Sequence, residues 1–139
     1  MSYWRLFYHI VWTTRNREPL IQEAFTSDMH RVIAGKATEM GAIVHAVGGT
    51  EDHVHLAVSV PPSLALSEFI GQVKGNSSHF ANHRLALPET FAWQAEYGLV
   101  SFDAKQLAKI VAYVRDQRQH HAQGTMIRAL ERWTSDSST

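Results

Sequence analysis

The chain has 139 residues, formal net charge zero, 45% hydrophobic and 19% charged residues, and no cysteine. These values describe one ordinary globular domain with a real core and exclude both a disulfide framework and a thiolate metal site; a cytoplasmic setting is expected. A neutral balance also argues against a surface that clings to nucleic acid everywhere, because such binding rests on many cationic contacts. It leaves room for a local basic groove, and nine of the thirteen cations are arginines, the better residue for bidentate phosphate contact.

Trp4 to Thr14 reads as a strand, with Trp4, Leu6, Tyr8, Ile10 and Trp12 alternating against Arg5, Phe7, His9, Val11 and Thr13. Bulky groups on both faces predict a central strand. A polar loop follows at Arg15-Asn16-Arg17-Glu18-Pro19. Arg15 and Arg17 are read there as solvated side chains or, more sharply, as phosphate contacts at a strand end. A helix capped by Thr26 or Ser27 runs to about Met40, with Met29, Val32, Ile33, Ala37 and Met40 on one stripe and Gly41 as its stop.

Ala42 to Val47 is a second strand. The Gly48-Gly49 pair then reads as a hairpin turn into a third strand that ends at Pro61-Pro62. On that third strand His53 and His55 project from one face while Val54 and Leu56 turn to the other. Two imidazoles held side by side make a plausible metal pair. The spacing alone is weak, since nine histidines give roughly 0.6 His-x-His pairs by chance in a chain of this length.

A second helix spans about Ser63 to His83, weakened internally by Gly71 and Gly75. His79 and His83 lie one turn apart on it, without an evident carboxylate companion. Phe91 to Phe102 reads as one strand or two short ones. Ser101 or Asp103 then caps a third helix through Ala104 to about His121, and 126–133 reads as a last short helix. The order β-α-β-β-α-β-α predicts an α+β domain over 1–134, followed by a disordered tail at 135–139. The fold expected is a ferredoxin-like or RNA-recognition-motif-like antiparallel sheet with helices packed on one face, plus a C-terminal helix carrying Tyr113.

The core stripe of that third helix is Leu107, Ile110, Val111 and Val114. Tyr113 then lies roughly 110° and Gln117 roughly 70° from its centre, and the two are neighbours at i and i+4. Tyr113 reads either as an amphipathic residue at the core edge or as a nucleophile, and Gln117 as a possible amide-oxygen ligand. His120-His121 reads as a favourable helix end and packing rather than as a metal site.

Six short motifs in order then carry a resemblance. They are Tyr8–Thr14 (YHIVWTT), Asp52–Leu56 (DHVHL), Val73–Ser78 (VKGNSS), Phe91–Gly98 (FAWQAEYG), Tyr113–Gln117 (YVRDQ) and His120-His121. Their order and spacing resemble the single-tyrosine HUH transposases of small insertion sequences and their REP-associated relatives, from about Phe7 to His121. The resemblance implies metal-dependent cleavage and rejoining of single-stranded DNA beside hairpins. His53 and His55 would be two ligands of a divalent ion, Mg²⁺ or Mn²⁺, with Gln117 the third. Tyr113 would be the nucleophile that becomes joined to the 5′ phosphate. Lys74, Ser77 and Ser78 match a Lys-Gly-x-Ser-Ser stretch and are candidate contacts to DNA or to helix packing.

The resemblance further implies a homodimer whose tyrosine helix acts in trans, with no membrane partner. Two other readings compete: a domesticated relative that binds structured nucleic acid with little or no strand transfer, and a ferredoxin-like metallohydrolase using the histidine pair alone.

Overall fold

The computed structural model describes residues 2–117, 119, 121, 124 and 126–134. Among them are four strands: β1 (Phe7–Thr13), β2 (Ile43–Gly49), β3 (His53–Ser59) and β4 (Gly98–Phe102). They pair antiparallel throughout in the order β2-β3-β1-β4. The helices are α1 (Thr26–Glu39), α2 (Leu66–Arg84), α3 (Leu107–Arg115) and the short α4 (Arg128–Glu131). This is the ferredoxin-like arrangement expected, and no helix is long and apolar enough to cross a membrane. The former tail expectation and His120 fall outside the described residues.

Period-two alternation decides what each face of the sheet packs against. Ile10, Trp12, Val54, Leu56 and Val58 turn to one side, where Met29 and Ile33 of α1 and Phe69, Ile70 and Val73 of α2 close the main core. Each large apolar side chain removed from water there contributes about 1.5–3 kcal/mol. The opposite face of β1 and β3 carries His9, Thr13, His53, His55 and Ala57. Helix α3 and α4 cover it, adding Ile110, Tyr113, Val114 and Leu130 to a smaller second cluster. The helices therefore divide between the two faces: α1 and α2 on one, the tyrosine helix and α4 on the other.

Three local expectations need correction. Gly48 and Gly49 lie inside β2, and the turn to β3 is made by 50–52 instead. A Cβ on Gly48 would stand 1.7 Å from the Val114 carbonyl oxygen, and one on Gly49 2.2 Å from that of His53. The pair is glycine because backbone passes close by. Thr26 and Ser27 do not cap α1; a 3-10 turn at Glu23–Phe25 leads into it, and no side-chain cap is made. The stretch 91–102 forms a strand only from Gly98, apart from one isolated bridge of Trp93 to Thr14.

Candidate metal and nucleophile site

Residues far apart in sequence meet on the second face of the sheet. His53 and His55 are 2% and 0% exposed on β3, their ring centroids 5.0 Å apart. Asp103 accepts the backbone N–H of Lys105 and caps a 3-10 turn at Ala104–Gln106 that leads into α3, which crosses over Gly48, whose missing side chain admits the helix backbone. Its buried stripe is Ile110, Tyr113 and Val114, continued by Gln117, while Leu107 and Val111 are only half-buried. The stripe is thus rotated toward Tyr113 relative to the expected Leu107–Val111 face. The helix packs on histidines as well as on apolar groups, so a tyrosine and a glutamine belong in its interface.

Each imidazole has one nitrogen occupied and the other turned inward. Nδ1 of His53 lies 2.7 Å from Asp52 Oδ1 and 2.8 Å from Thr50 Oγ1. Asp52 is in turn 3.6 Å from the guanidinium of Arg17. Nδ1 of His55 lies 2.7 Å from Nε2 of His9, a buried histidine on β1. Burial, followed by the proximity of His55, lowers the pKa of His9 to about 3. Burial likewise lowers that of His55 to about 4, against the opposing pull of Glu131. Both are neutral imidazoles at neutral pH, the state a metal ligand requires.

The inward nitrogens converge. His53 Nε2 is 3.4 Å from Gln117 Oε1, and the Gln117 amide nitrogen donates to the Tyr113 carbonyl at 2.9 Å, which turns that oxygen toward the histidines. His55 Nε2 is fully buried and makes no aligned hydrogen bond among the described residues, although a Glu131 carboxylate oxygen lies 3.3 Å away. His121 Nε2 is 3.2 Å from Gln117 Oε1 and 3.3 Å from Glu131 Oε1. Ligand atoms of His53, His55, His121 and Glu131 all lie within 4.8 Å of one another. Inward-facing imidazoles with anchored outer nitrogens, one of them lacking any aligned partner, fit a divalent ion.

Tyr113 faces the same centre, its ring 6.0 Å from that of His55 and tilted 80° to it. Its hydroxyl donates to Glu131 Oε2 and accepts the backbone N–H of Ile127 at 2.8 Å. Burial and then the Glu131 carboxylate push its pKa up, so the hydroxyl is held neutral. Burial pushes the Glu131 carboxyl up, but the His55 imidazole and the Tyr113 hydroxyl more than offset that and hold it well below the usual range. All of these groups come from one chain.

The proposed DNA contacts have different surroundings. Arg15 and Arg17 are exposed just after β1, and Arg17 adjoins the site through Asp52. Lys74 Nζ donates to the carbonyls of Gln94, Ala95 and Glu96 at 2.6, 3.3 and 3.2 Å, and so ties down that loop. Ser77 is fully buried; it accepts the Trp93 indole N–H at 2.9 Å and donates to the Lys74 carbonyl at 3.0 Å. Ser78 bonds within its own helix, to the Gly75 carbonyl at 3.1 Å, and lines a cleft of about 550 Å³ with Lys74, Gln94 and Tyr97. His79 and His83 stack on the exposed side of α2, away from the histidine centre.

His9, Thr50, Asp52, His121 and Glu131 were not assigned to the site from sequence. His9 and Asp52 stand in the quoted motifs without a role, and His121, read as a helix end, has its Nε2 beside Gln117 and Glu131. Glu131 gave no signal, being one carboxylate in a short, aperiodic segment.

A model of the family described as transposase, IS200 like, matches residues 2–117, a span that includes His53, His55, Tyr113 and Gln117. The chain belongs to the IS200-like transposase family. The ISDra2 transposase TnpA of Deinococcus radiodurans is 23% identical over 119 residues, covering 82% of this chain and 85% of that one. The IS200 insertion-sequence transposase of Salmonella typhimurium is 26% identical over 133 residues, covering 89% and 84%. Two solved structures share the fold, each at a TM-score of 0.65. One is a transposase crystal structure from Deinococcus radiodurans R1, at 23% identity over 84% of this chain and 95% of that one. The other is a REP-associated tyrosine transposase bound to a REP hairpin, at 16% identity over 87% and 74%.

Proposed function

We propose that this member of the family cleaves and rejoins single-stranded DNA beside hairpins through a covalent 5′-phosphotyrosine at Tyr113. The observation that carries the reading is the convergence of the Tyr113 hydroxyl and the inward nitrogens of His53 and His55 on one buried centre. His53, His55 and Gln117 would hold a divalent ion, Mg²⁺ or Mn²⁺. When bound, it supplies Lewis-acid polarisation of the scissile phosphate.

In the cleavage step the Tyr113 oxygen attacks phosphorus, the bond from phosphorus to the 3′ oxygen breaks, and that oxygen leaves as a 3′-OH carrying a proton. The new phosphodiester conserves the energy of the broken bond, so a 3′-OH can reverse the step and rejoin DNA. The Tyr113 hydroxyl gives up its proton in the attack, and the Glu131 oxygen already accepts a hydrogen bond from it. Arg15 and Arg17 are proposed to contact DNA phosphates where the strand enters the site. Lys74, Ser77 and Ser78 are proposed to serve DNA binding chiefly by shaping the 94–96 loop. The hairpin preference is supported by the named partner of the REP-associated relative, and a cytoplasmic site of action by the cysteine-free composition.

Incubation of the chain with Mn²⁺ and a labelled hairpin-bearing strand should give a denaturant-resistant adduct. Tyr113→Phe should give none, and an equal adduct from that variant would refute the nucleophile. The resemblance implies a homodimer acting in trans, whereas the single chain already brings Tyr113 to its own histidines. Mixing Tyr113→Phe with His53→Ala separates the two: restored adduct formation means exchange of α3, and continued silence means assembly in cis, the outcome expected.

A further inference from the structure

The carboxylate in the centre comes from beyond residue 117, where the family match ends. Two contacts fix its position. Leu130 of α4 is buried in the small cluster with Ala57, Ile110, Tyr113 and Val114. One residue past Glu131, the Arg132 carbonyl oxygen passes so near β4 that a Cβ on Gly98 would stand 1.8 Å from it. Between those anchors Glu131 points one oxygen at three imidazoles: 3.3 Å from His55 Nε2, 3.3 Å from His121 Nε2 and 3.8 Å from His53 Nε2. Its second oxygen accepts the Tyr113 hydroxyl.

The chemistry of this donor set differs from two imidazoles and an amide. Three imidazole nitrogens and a carboxylate suit a divalent transition ion. Mg²⁺ prefers oxygen ligands in a strict octahedron and gives up its water reluctantly. The carboxylate also brings a negative charge to the centre, in a buried setting where its attraction for a cation is strong.

We propose that Glu131 and His121 are metal ligands of this chain, completing with His53 and His55 a three-histidine, one-carboxylate site that takes a Mn²⁺-like transition ion in preference to Mg²⁺. The proposal rests on the reading of His53 and His55 as the metal pair. Gln117, buried with its oxygen 3.4 Å from His53 Nε2 and 3.2 Å from His121 Nε2, keeps the ligand role proposed for it beside these four. The same carboxylate would connect ion and nucleophile, one oxygen for each.

Electron paramagnetic resonance of free Mn²⁺, titrated into the full chain without DNA, reads the site independently of activity. Wild type should bind Mn²⁺ and release little of it to a tenfold excess of Mg²⁺. Glu131→Gln, which keeps the side chain's size, and Glu131→Ala should each weaken Mn²⁺ binding at least about tenfold, the scale of a lost group supporting such a site. Retention of wild-type affinity by both variants, with His53→Ala binding none, would overturn the Glu131 ligand while leaving the histidine pair intact. Wild-type affinity in His53→Ala would overturn the metal reading itself. Ready displacement by equimolar Mg²⁺ would overturn the stated preference.

Discussion

His9 shows how a single side chain on a neighbouring strand determines which nitrogen of His55 stays open. The register sets Val11 opposite His55 and His9 opposite Ala57, so His9 and His55 are diagonal neighbours on one face, within reach of each other's rings. Their 2.7 Å contact occupies Nδ1 of His55 and leaves Nε2 as the only nitrogen available to an ion. Asp52 and Thr50 do the same for His53. His9→Phe keeps the volume of the ring but removes this hydrogen-bond partner. Calorimetric titration should then show Mn²⁺ affinity lowered by about 10–100-fold, the usual effect of losing a group that orients a metal-binding histidine. Unchanged affinity would mean that His9 is only a packed core residue. Its alternation in β1 was legible from the sequence, but its partner was not, because strand register is set by pairings that a single sequence does not display.

At the scale of elements, Gly48 and Gly35 stand in opposite surroundings. Gly48 admits the backbone of α3, and an added methyl there would collide with the Val114 carbonyl rather than with a movable side-chain tip. Gly48→Ala should therefore lower stability by about 1–3 kcal/mol or more, as overpacking does, and loosen the seating of Tyr113. Gly35 lies inside α1 with nothing within 4 Å of a built Cβ. Gly35→Ala should instead raise stability by about 0.5–1 kcal/mol, the helix-interior cost of glycine. Thermal or urea unfolding of the two variants checks both signs, and a stabilised Gly48→Ala would mean that α3 is not held against β2 as described.

The same close approach explains why the Gly48-Gly49 pair misled as a turn signal. Glycine permits a turn and permits a crossing, and only the three-dimensional arrangement distinguishes them. The rotation of the buried stripe on α3 has a related cause. Hydropathy puts tyrosine and glutamine at the margin of a helix face, whereas a surface of buried histidines makes them its centre.

For the whole molecule, the order and spacing of the motifs carried the fold, since alternating strands and two amphipathic helices specify a split β-α-β sheet with little freedom. One half of the site was equally legible: His53 and His55 share a face by period, and Tyr113 and Gln117 are one helical turn apart. The other half was not. Glu131 reaches the centre only because α4 packs across β1 and β4, and no pattern in 126–133 announces that contact. The sheet thus has two unlike faces, with the apolar core and α1 and α2 on one and the histidine cluster, α3 and α4 on the other.

The central claim is that Tyr113 is the group that becomes joined to DNA. Tryptic peptide mapping of the adduct formed with Mn²⁺ reads this directly, because cleavage after Lys109 and Arg115 isolates Tyr113 as the lone tyrosine of Ile110–Arg115. The account predicts the mass of a 5′-phosphorylated nucleotide fragment on that peptide and on no other. The same mass on a peptide carrying Tyr3, Tyr8 or Tyr97, or on a residue other than tyrosine, would contradict it.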